Sequence, residues 1–228
     1  ILFTLGALII YRLGTYIPVP GINPTVLNEI VNQTSGGVLG MFNMFSGGAL
    51  GRMTIFALTI IPYISASIIM QLMSSLSPQI AQLKKEGETG RQIINQYTRY
   101  LTVLLATVQA WGFAVALEST SGASGSLVLN AGFYFKITTV VTLVGGVMFL
   151  LWLGEQITER GLGNGVSLII FSGIVAELPR ALAQILEQGR TGAISPILII
   201  IIILEANEVR AFIFFIERSQ RKIFVQYH

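Results

Sequence analysis

One segment of the chain combines residue types that could bind a phosphate group. Residues 161–165 read Gly-Leu-Gly-Asn-Gly and follow Thr158, Glu159 and Arg160. A phosphate-binding P-loop needs a Lys-Ser/Thr pair after its glycines and a strand before them, and this segment has neither. The pattern therefore favours a tight turn that leads into an apolar segment.

Other catalytic and metal-binding patterns are absent from the sequence. It has no Cys and no Asp, and its only His is His228. Neither a His-Glu-x-x-His nor a Gly-x-Ser-x-Gly motif occurs. We therefore expect a protein that is not an enzyme and that binds no cofactor or metal.

The elements that would position these residues are membrane spans. Hydrophobic residues make up 53% of the chain and charged residues 11%, whereas soluble domains have about 25% charged residues. Six apolar windows are long enough, or nearly so, to cross a bilayer. They cover residues 1–17, 53–76, 100–117, 133–153, 166–178 and 197–216. The fifth is short unless it continues past Pro179.

The sixth window is interrupted by Glu205, Asn207, Glu208 and Arg210. Charges within a membrane are costly and usually face a protein interior or water. Either these residues have a function, or the span ends near Leu204, or this part of the sequence is in error.

Basic residues between the windows predict the orientation. Three loops on one side hold Lys84, Lys85, Arg91, Arg99, Arg160, Arg218, Arg221 and Lys222. The opposite side holds Arg180 and Arg190 in its last loop. Because cytoplasmic loops are enriched in Lys and Arg, we expect the first side and the N-terminus to be cytoplasmic. The chain starts within an apolar run and stops within a basic one, so we expect a fragment.

A short apolar helix candidate precedes the second window. Residues 38–45 would form about 8 residues of helix, roughly 12 Å, against a hydrocarbon core of about 30 Å. Glycines follow at Gly47, Gly48 and Gly51. The segment is either a re-entrant or interfacial cap on a helix bundle, or a movable stopper hinged on these glycines.

Two pairs of branched aliphatic residues lie in the second and fifth apolar windows. Ile60 and Ile64 are four residues apart, as are Val166 and Ile170, so each pair shares a helix face. Such pairs usually serve packing. Together with a hinged stopper, however, β-branched side chains could form a ring that closes around a chain of any sequence and excludes ions by dewetting.

Five segments resemble the SecY family, whose members form the channel of the general protein-export translocon. Residues 55–71 and 152–165 resemble its two signatures, and residues 42–48 resemble its plug. Residues 84–88 resemble its first cytosolic loop, and residues 215–222 the start of its docking loop. The resemblance runs in order along nearly the whole chain and is nearest to the bacterial form.

The resemblance implies an all-α, polytopic membrane helical bundle with two pseudo-symmetric halves of five spans. Residues 1–183 would be the first half, with a plug at about 41–48 and a cytosolic loop at about 77–99. Residues 184–228 would hold an outer loop, span six and the start of the docking loop. The implied function is a passive protein-conducting channel without a cofactor.

The resemblance also implies roles for individual residues. The pore ring would include Ile60, Ile64, Val166 and Ile170, with Val166 in place of the more usual Ile. The plug would consist of Met41, Phe42, Asn43, Met44, Phe45, Ser46, Gly47 and Gly48. Ser65 and Gln109 would lie on the wall of a lateral gate formed by spans two and three. Partner docking would involve Lys84, Lys85, Arg91, Arg218, Arg221 and Lys222.

The implied partners are SecE- and SecG-type membrane subunits, the SecA motor, the ribosome, signal sequences, nascent polypeptides and membrane lipid. Basic cytosolic loops could contact ribosomal RNA, and the implied location is the bacterial cytoplasmic (inner) membrane. The alternative is an ion-coupled secondary transporter of a small solute, with broken helices at residues 47–51 and 161–165 and with Glu205 and Glu208. Spans two to five lack carboxylates near the midplane, which weighs against the transporter.

Overall fold

The computed structural model describes residues 1–34, 46–122, 125–191 and 196–218. Within these ranges the chain is mainly helical, as the all-α prediction requires. The helices are α1 (Leu2–Gly14), α2 (Pro24–Thr34), α3 (Ile61–Leu76), α4 (Pro78–Lys85), α5 (Glu88–Ser119), α6 (Phe133–Arg160), α7 (Gly165–Arg190) and α8 (Pro196–Arg218). Between α5 and α6 lies a two-residue antiparallel hairpin, β1 (Ser121–Gly122) and β2 (Gly125–Ser126).

Three of these helices, α5, α6 and α7, are long and apolar enough to cross a membrane, and α1 and α3 are shorter apolar helices. The fifth window does continue past Pro179, because α7 runs unbroken from Gly165 to Arg190. The described helices therefore agree with a multi-pass membrane protein.

The second apolar window is helical only in part. Its residues 53–60 form turns, and α3 begins at Ile61. Pro62 lies in the first helical turn, where its missing N–H needs no partner. Upstream, Met53 and Thr59 have positive φ angles of 47° and 53°, which no α-helix accommodates.

The sixth window is covered by α8, which continues to Arg218 and so does not end near Leu204. The four polar residues of the window are exposed along it. Asn207 donates from Nδ2 to the Ile203 carbonyl oxygen at 3.0 Å, a bond within the helix itself.

Helix α5 carries a row of small buried residues. They recur every four residues and include Thr98, Thr102, Ala106, Ala110 and Ala114. Small side chains let neighbouring membrane helices approach closely, and α5 packs against both α3 and α6. The Thr98 and Thr102 hydroxyls donate to carbonyl oxygens one turn earlier at 2.8 and 2.7 Å, which satisfies these buried polar atoms.

A buried cluster joins α1, the turns of residues 46–60, the second half of α6 and the start of α7. It consists of Ala7, Tyr11, Ala49, Phe56, Ile60, Leu150, Leu153, Ile157 and Ile169. The Phe56 ring stacks between those of Tyr11 and Phe149, with centroids 6.0 and 5.9 Å away. Two glycines make this approach possible, because a Cβ on Gly14 would overlap the Phe56 ring and one on Gly146 would overlap the Ile55 carbonyl.

Residues Ile1–Glu177 form one compact unit, and the chain from Leu178 onward forms a second. The division after residue 183 into a channel half and a following segment remains a prediction.

Candidate functional site

The site is built around a turn at residues 46–52, here called the glycine turn, which leads into the buried cluster. Gly47 and Gly48 have φ angles of +62° and +82°, a region that favours glycine. The Ser46 hydroxyl accepts a hydrogen bond from the Leu50 N–H at 3.1 Å. Ser46, Gly47 and Gly48 of the predicted plug belong to this turn. The other predicted plug residues, 41–45, lie outside the described residues.

Two arginines donate to the glycine turn from different parts of the chain. Arg12, in the last turn of α1, donates from Nη1 to the Gly47 carbonyl oxygen at 2.7 Å. Arg52 donates from Nη2 to the same oxygen at 2.8 Å and from Nε to the Gly48 carbonyl oxygen at 3.1 Å. Both lone pairs of the Gly47 carbonyl therefore have guanidinium partners.

Two tyrosines also belong to this site, Tyr11 within α1 and Tyr16 just after it. The Tyr16 ring lies against both guanidinium groups, 5.4 Å from Arg12 Cζ and 4.4 Å from Arg52 Cζ. The Tyr11 hydroxyl donates to the Ser46 carbonyl oxygen at 3.3 Å. Charge attraction to the ring face and hydrogen bonding thus act on the same turn.

Helix α7 forms the opposite wall of the turn. A Cβ on Gly47 would lie 3.0 Å from the Gly173 Cα, and one on Gly48 would lie 2.8 Å from Glu177 Oε1. The turn therefore packs against the α7 backbone with no room for a side chain.

The structure brings together two of the four predicted ring residues. Ile60 is 1% exposed within the buried cluster, and Val166 packs against the same cluster. Ile64, one turn into α3, is 37% exposed, and Ile170 is half-buried. The ring itself remains a prediction.

The predicted gate residues lie on α3 and α5, and the predicted docking residues Lys84, Lys85 and Arg91 lie on α4 and α5, so the loop expected at about 77–99 is mostly helical. Ser65 on α3 and Gln109 on α5 are both half-buried, on two helices that pack together. Lys84 and Lys85 are exposed in the last turn of α4, and Arg91 is exposed near the start of α5.

At the end of α8, Arg218 stacks on Phe214 with Cζ 4.6 Å from the ring centroid. Arg221 and Lys222 lie outside the described residues. The docking role of these basic residues remains a prediction.

The segment at 161–165 is a structural turn. The Thr158 hydroxyl accepts from the Gly165 N–H at 2.9 Å, and the Thr4 hydroxyl of α1 accepts from the Leu162 N–H at 3.2 Å. A Cβ on Gly165 would overlap the Gly154 carbonyl. Because these N–H groups already have partners within the chain, the tight-turn interpretation is the better one.

Arg12, Arg52, Tyr16 and Glu177 were not singled out from the sequence. One signal was available. Arg52 is a charged residue between the glycines and an apolar window, where an unpaired charge would be costly.

A family model described as SecY matches residues 54–228 of the chain. The protein translocase subunit SecY of Rickettsia typhi is 54% identical over 227 residues, covering 100% of this chain and 52% of that protein. The subunit of the same name from Escherichia coli K12 is 53% identical, with 100% and 51% coverage. The chain thus spans about half the length of the curated relatives it matches.

Two solved structures share the fold. Sec61 in a canine ribosome-channel complex from the endoplasmic reticulum matches with a TM-score of 0.63 at 18% identity, covering 98% of this chain and 48% of that one. The structure of a protein-conducting channel matches with a TM-score of 0.54 at 20% identity, covering 75% of this chain and 34% of that one.

Proposed function

Because the chain belongs to the SecY family, we propose that it forms the first half of a passive protein-conducting channel, together with the start of the second half. The complete protein would pass unfolded secretory proteins across the bacterial cytoplasmic membrane and release membrane proteins sideways into it. A ribosome or the SecA motor would drive transport, and SecE- and SecG-type subunits would complete the channel. The N-terminus would be cytoplasmic. SecY and Sec61 proteins are a channel family and not an enzyme family.

The observation that carries the proposal is the burial of Ile60 shortly after the glycine turn. Ile60 lies eight residues after Arg52 and is buried among side chains of α1, α6 and α7. A turn held by two arginines, with a buried branched side chain eight residues later, supports the proposal of a closed seal. Plug residues 41–48 and the ring of Ile60, Ile64, Val166 and Ile170 would form that seal.

The lateral gate and docking surfaces extend the proposal. Ser65 and Gln109 would face the path by which signal sequences leave towards lipid, because they lie on the packed helices α3 and α5. Lys84, Lys85, Arg91 and Arg218 would contact the ribosome, including its RNA, or SecA. Their exposure leaves these cations available to acidic partners.

Resting ion conductance of the full-length protein in lipid bilayers tests the ring. Truncating the buried Ile60 costs about 2–5 kcal/mol of stability, so a leak in Ile60→Ser alone could reflect misfolding. Ile64→Ser avoids this problem because Ile64 is 37% exposed. Ile69→Ser is a matched control, since Ile69 is 39% exposed on the same helix but points elsewhere around the helix axis.

We expect Ile64→Ser to raise resting conductance and Ile69→Ser to leave it unchanged. Equal conductance in the two variants and the parent protein contradicts the ring assignment. Signal-dependent passage of a secretory protein into vesicles tests the channel itself. Saturable uptake of a small solute coupled to an ion gradient, without polypeptide passage, would show that the protein is a transporter and not a protein-conducting channel.

A further inference from the structure

We propose that Arg12 and Arg52 are positioning residues that clasp the glycine turn to α1 and α7 and so hold the seal shut. This inference rests on the proposed channel function and adds to it a device on the outer side of the membrane. The two guanidinium groups converge on the Gly47 carbonyl oxygen, although Arg12 is 35 residues from Gly47 along the chain.

The Arg52 side chain has the geometry for this role. Its Nη2 and Nε atoms reach the carbonyl oxygens of two successive residues, Gly47 and Gly48. Hydrogen bonds from a charged donor are about twice as strong as neutral ones. A lysine ammonium is a compact point charge on a flexible stem and does not reproduce the planar fork.

The positively charged side chains of Arg12 and Arg52 lie close together, beside groups that attract cations. The Tyr16 ring lies against both guanidinium groups. Glu177 of α7 supplies a carboxylate beside Gly48, where Arg52 Nη2 also lies. An aromatic ring face and a nearby carboxylate both attract cations, so they reduce the repulsion between two neighbouring guanidinium groups.

The glycine pair and the clasp depend on each other. A Cβ on Gly48 would lie 2.5 Å from Arg52 Nη2 and 2.8 Å from Glu177 Oε1, so a side chain there would displace the fork. A Cβ on Gly47 would lie 3.1 Å from Arg12 Nη1. The turn is therefore fixed at its carbonyl groups, and any opening of the turn must first break the arginine bonds.

A single cysteine at Ser46 reports on the clasp without requiring transport. Ser46 is 1% exposed, and this chain contributes no cysteine of its own. In the full-length protein with its membrane subunits, reconstituted in vesicles, the rate of Ser46→Cys modification by a membrane-impermeant maleimide measures opening of the turn. Resting ion conductance is recorded on the same preparations.

We expect Arg52→Lys and Arg52→Gln each to raise the modification rate at least tenfold and to raise resting conductance. Arg12→Lys should act in the same direction. Arg190→Lys is the matched control, because the Arg190 side chain is 83% exposed and its ion-pair partner is Glu187, 4.0 Å away. It should change neither readout.

Unchanged modification in Arg52→Lys and Arg52→Gln overturns the clasp, as does an equal rise in Arg190→Lys. Faster modification with a conductance that stays at background, in these variants and in Ile64→Ser, contradicts the proposed seal and leaves the clasp itself standing. Absence of signal-dependent polypeptide passage in the parent protein contradicts the channel function.

Discussion

Substituting one of two adjacent glycines on α6 should destabilise the protein, whereas substituting the other should not. A Cβ on Gly146 would overlap the Ile55 carbonyl and lie 3.3 Å from the Phe56 ring. A Cβ on Gly145 would meet nothing within 4 Å. The two positions are adjacent on one helix and share a residue type, but Gly145 is exposed and Gly146 is buried, so each variant is the control for the other.

The magnitude follows from two opposing effects. Replacing a helical glycine with alanine stabilises by about 0.5–1 kcal/mol through backbone entropy. Overpacking a close contact costs about 1–3 kcal/mol, and a backbone carbonyl cannot rotate away as a side chain can. We therefore expect Gly146→Ala to lose about 1–2 kcal/mol and Gly145→Ala to be neutral or slightly stabilised.

The assay is a denaturant titration of the purified full-length complex in detergent, followed by loss of helical signal. The midpoint of Gly146→Ala should fall below that of the parent protein, and the midpoint of Gly145→Ala should not. If the two variants unfold together, then α6 does not contact residues 55–56, and the buried cluster is not packed in this way.

Three further outcomes are expected. Phe56→Ala should cost about 3–5 kcal/mol in the same titration, because the ring is 2% exposed and stacked on both sides. Glu155→Gln should cost less than about 1 kcal/mol, since its 2.7 Å ion pair with Arg99 joins side chains that are 49% and 32% exposed; a larger loss would show that this pair is not simply a surface contact. Gly48→Ala should speed modification of a cysteine at Ser46 as much as Arg52→Lys does, and an unchanged rate would mean that the turn tolerates a side chain beside the fork.

Several features of the fold could be predicted from local sequence. The apolar windows predicted helices, and α5, α6 and α7 are of spanning length. Residues 161–165 were expected to form a tight turn and do so, because glycines without the P-loop residues indicate it. The chain's membership of the SecY family was also predicted from its motifs, and the family comparison confirms it.

Other features could not be read from hydropathy. The window at residues 53–76 is apolar throughout, yet its first part forms turns, since average hydropathy does not distinguish a buried turn from a helix. Pro62 was a local indication of where α3 begins. The window at 197–216 contains charged residues, yet α8 runs straight through them, because helix formation depends on backbone hydrogen bonds within the segment.

The sequence by itself determined the membrane class, the flexible glycines at 47, 48 and 51 and the branched aliphatic residues of the apolar windows, because hydrophobicity and backbone freedom are properties of short segments. The tertiary structure alone decided that Arg12 and Arg52 meet at one carbonyl oxygen and that Glu177 lies beside Gly48. A hydrogen-bond partner depends on how the intervening chain folds back in space, and no local pattern records that path.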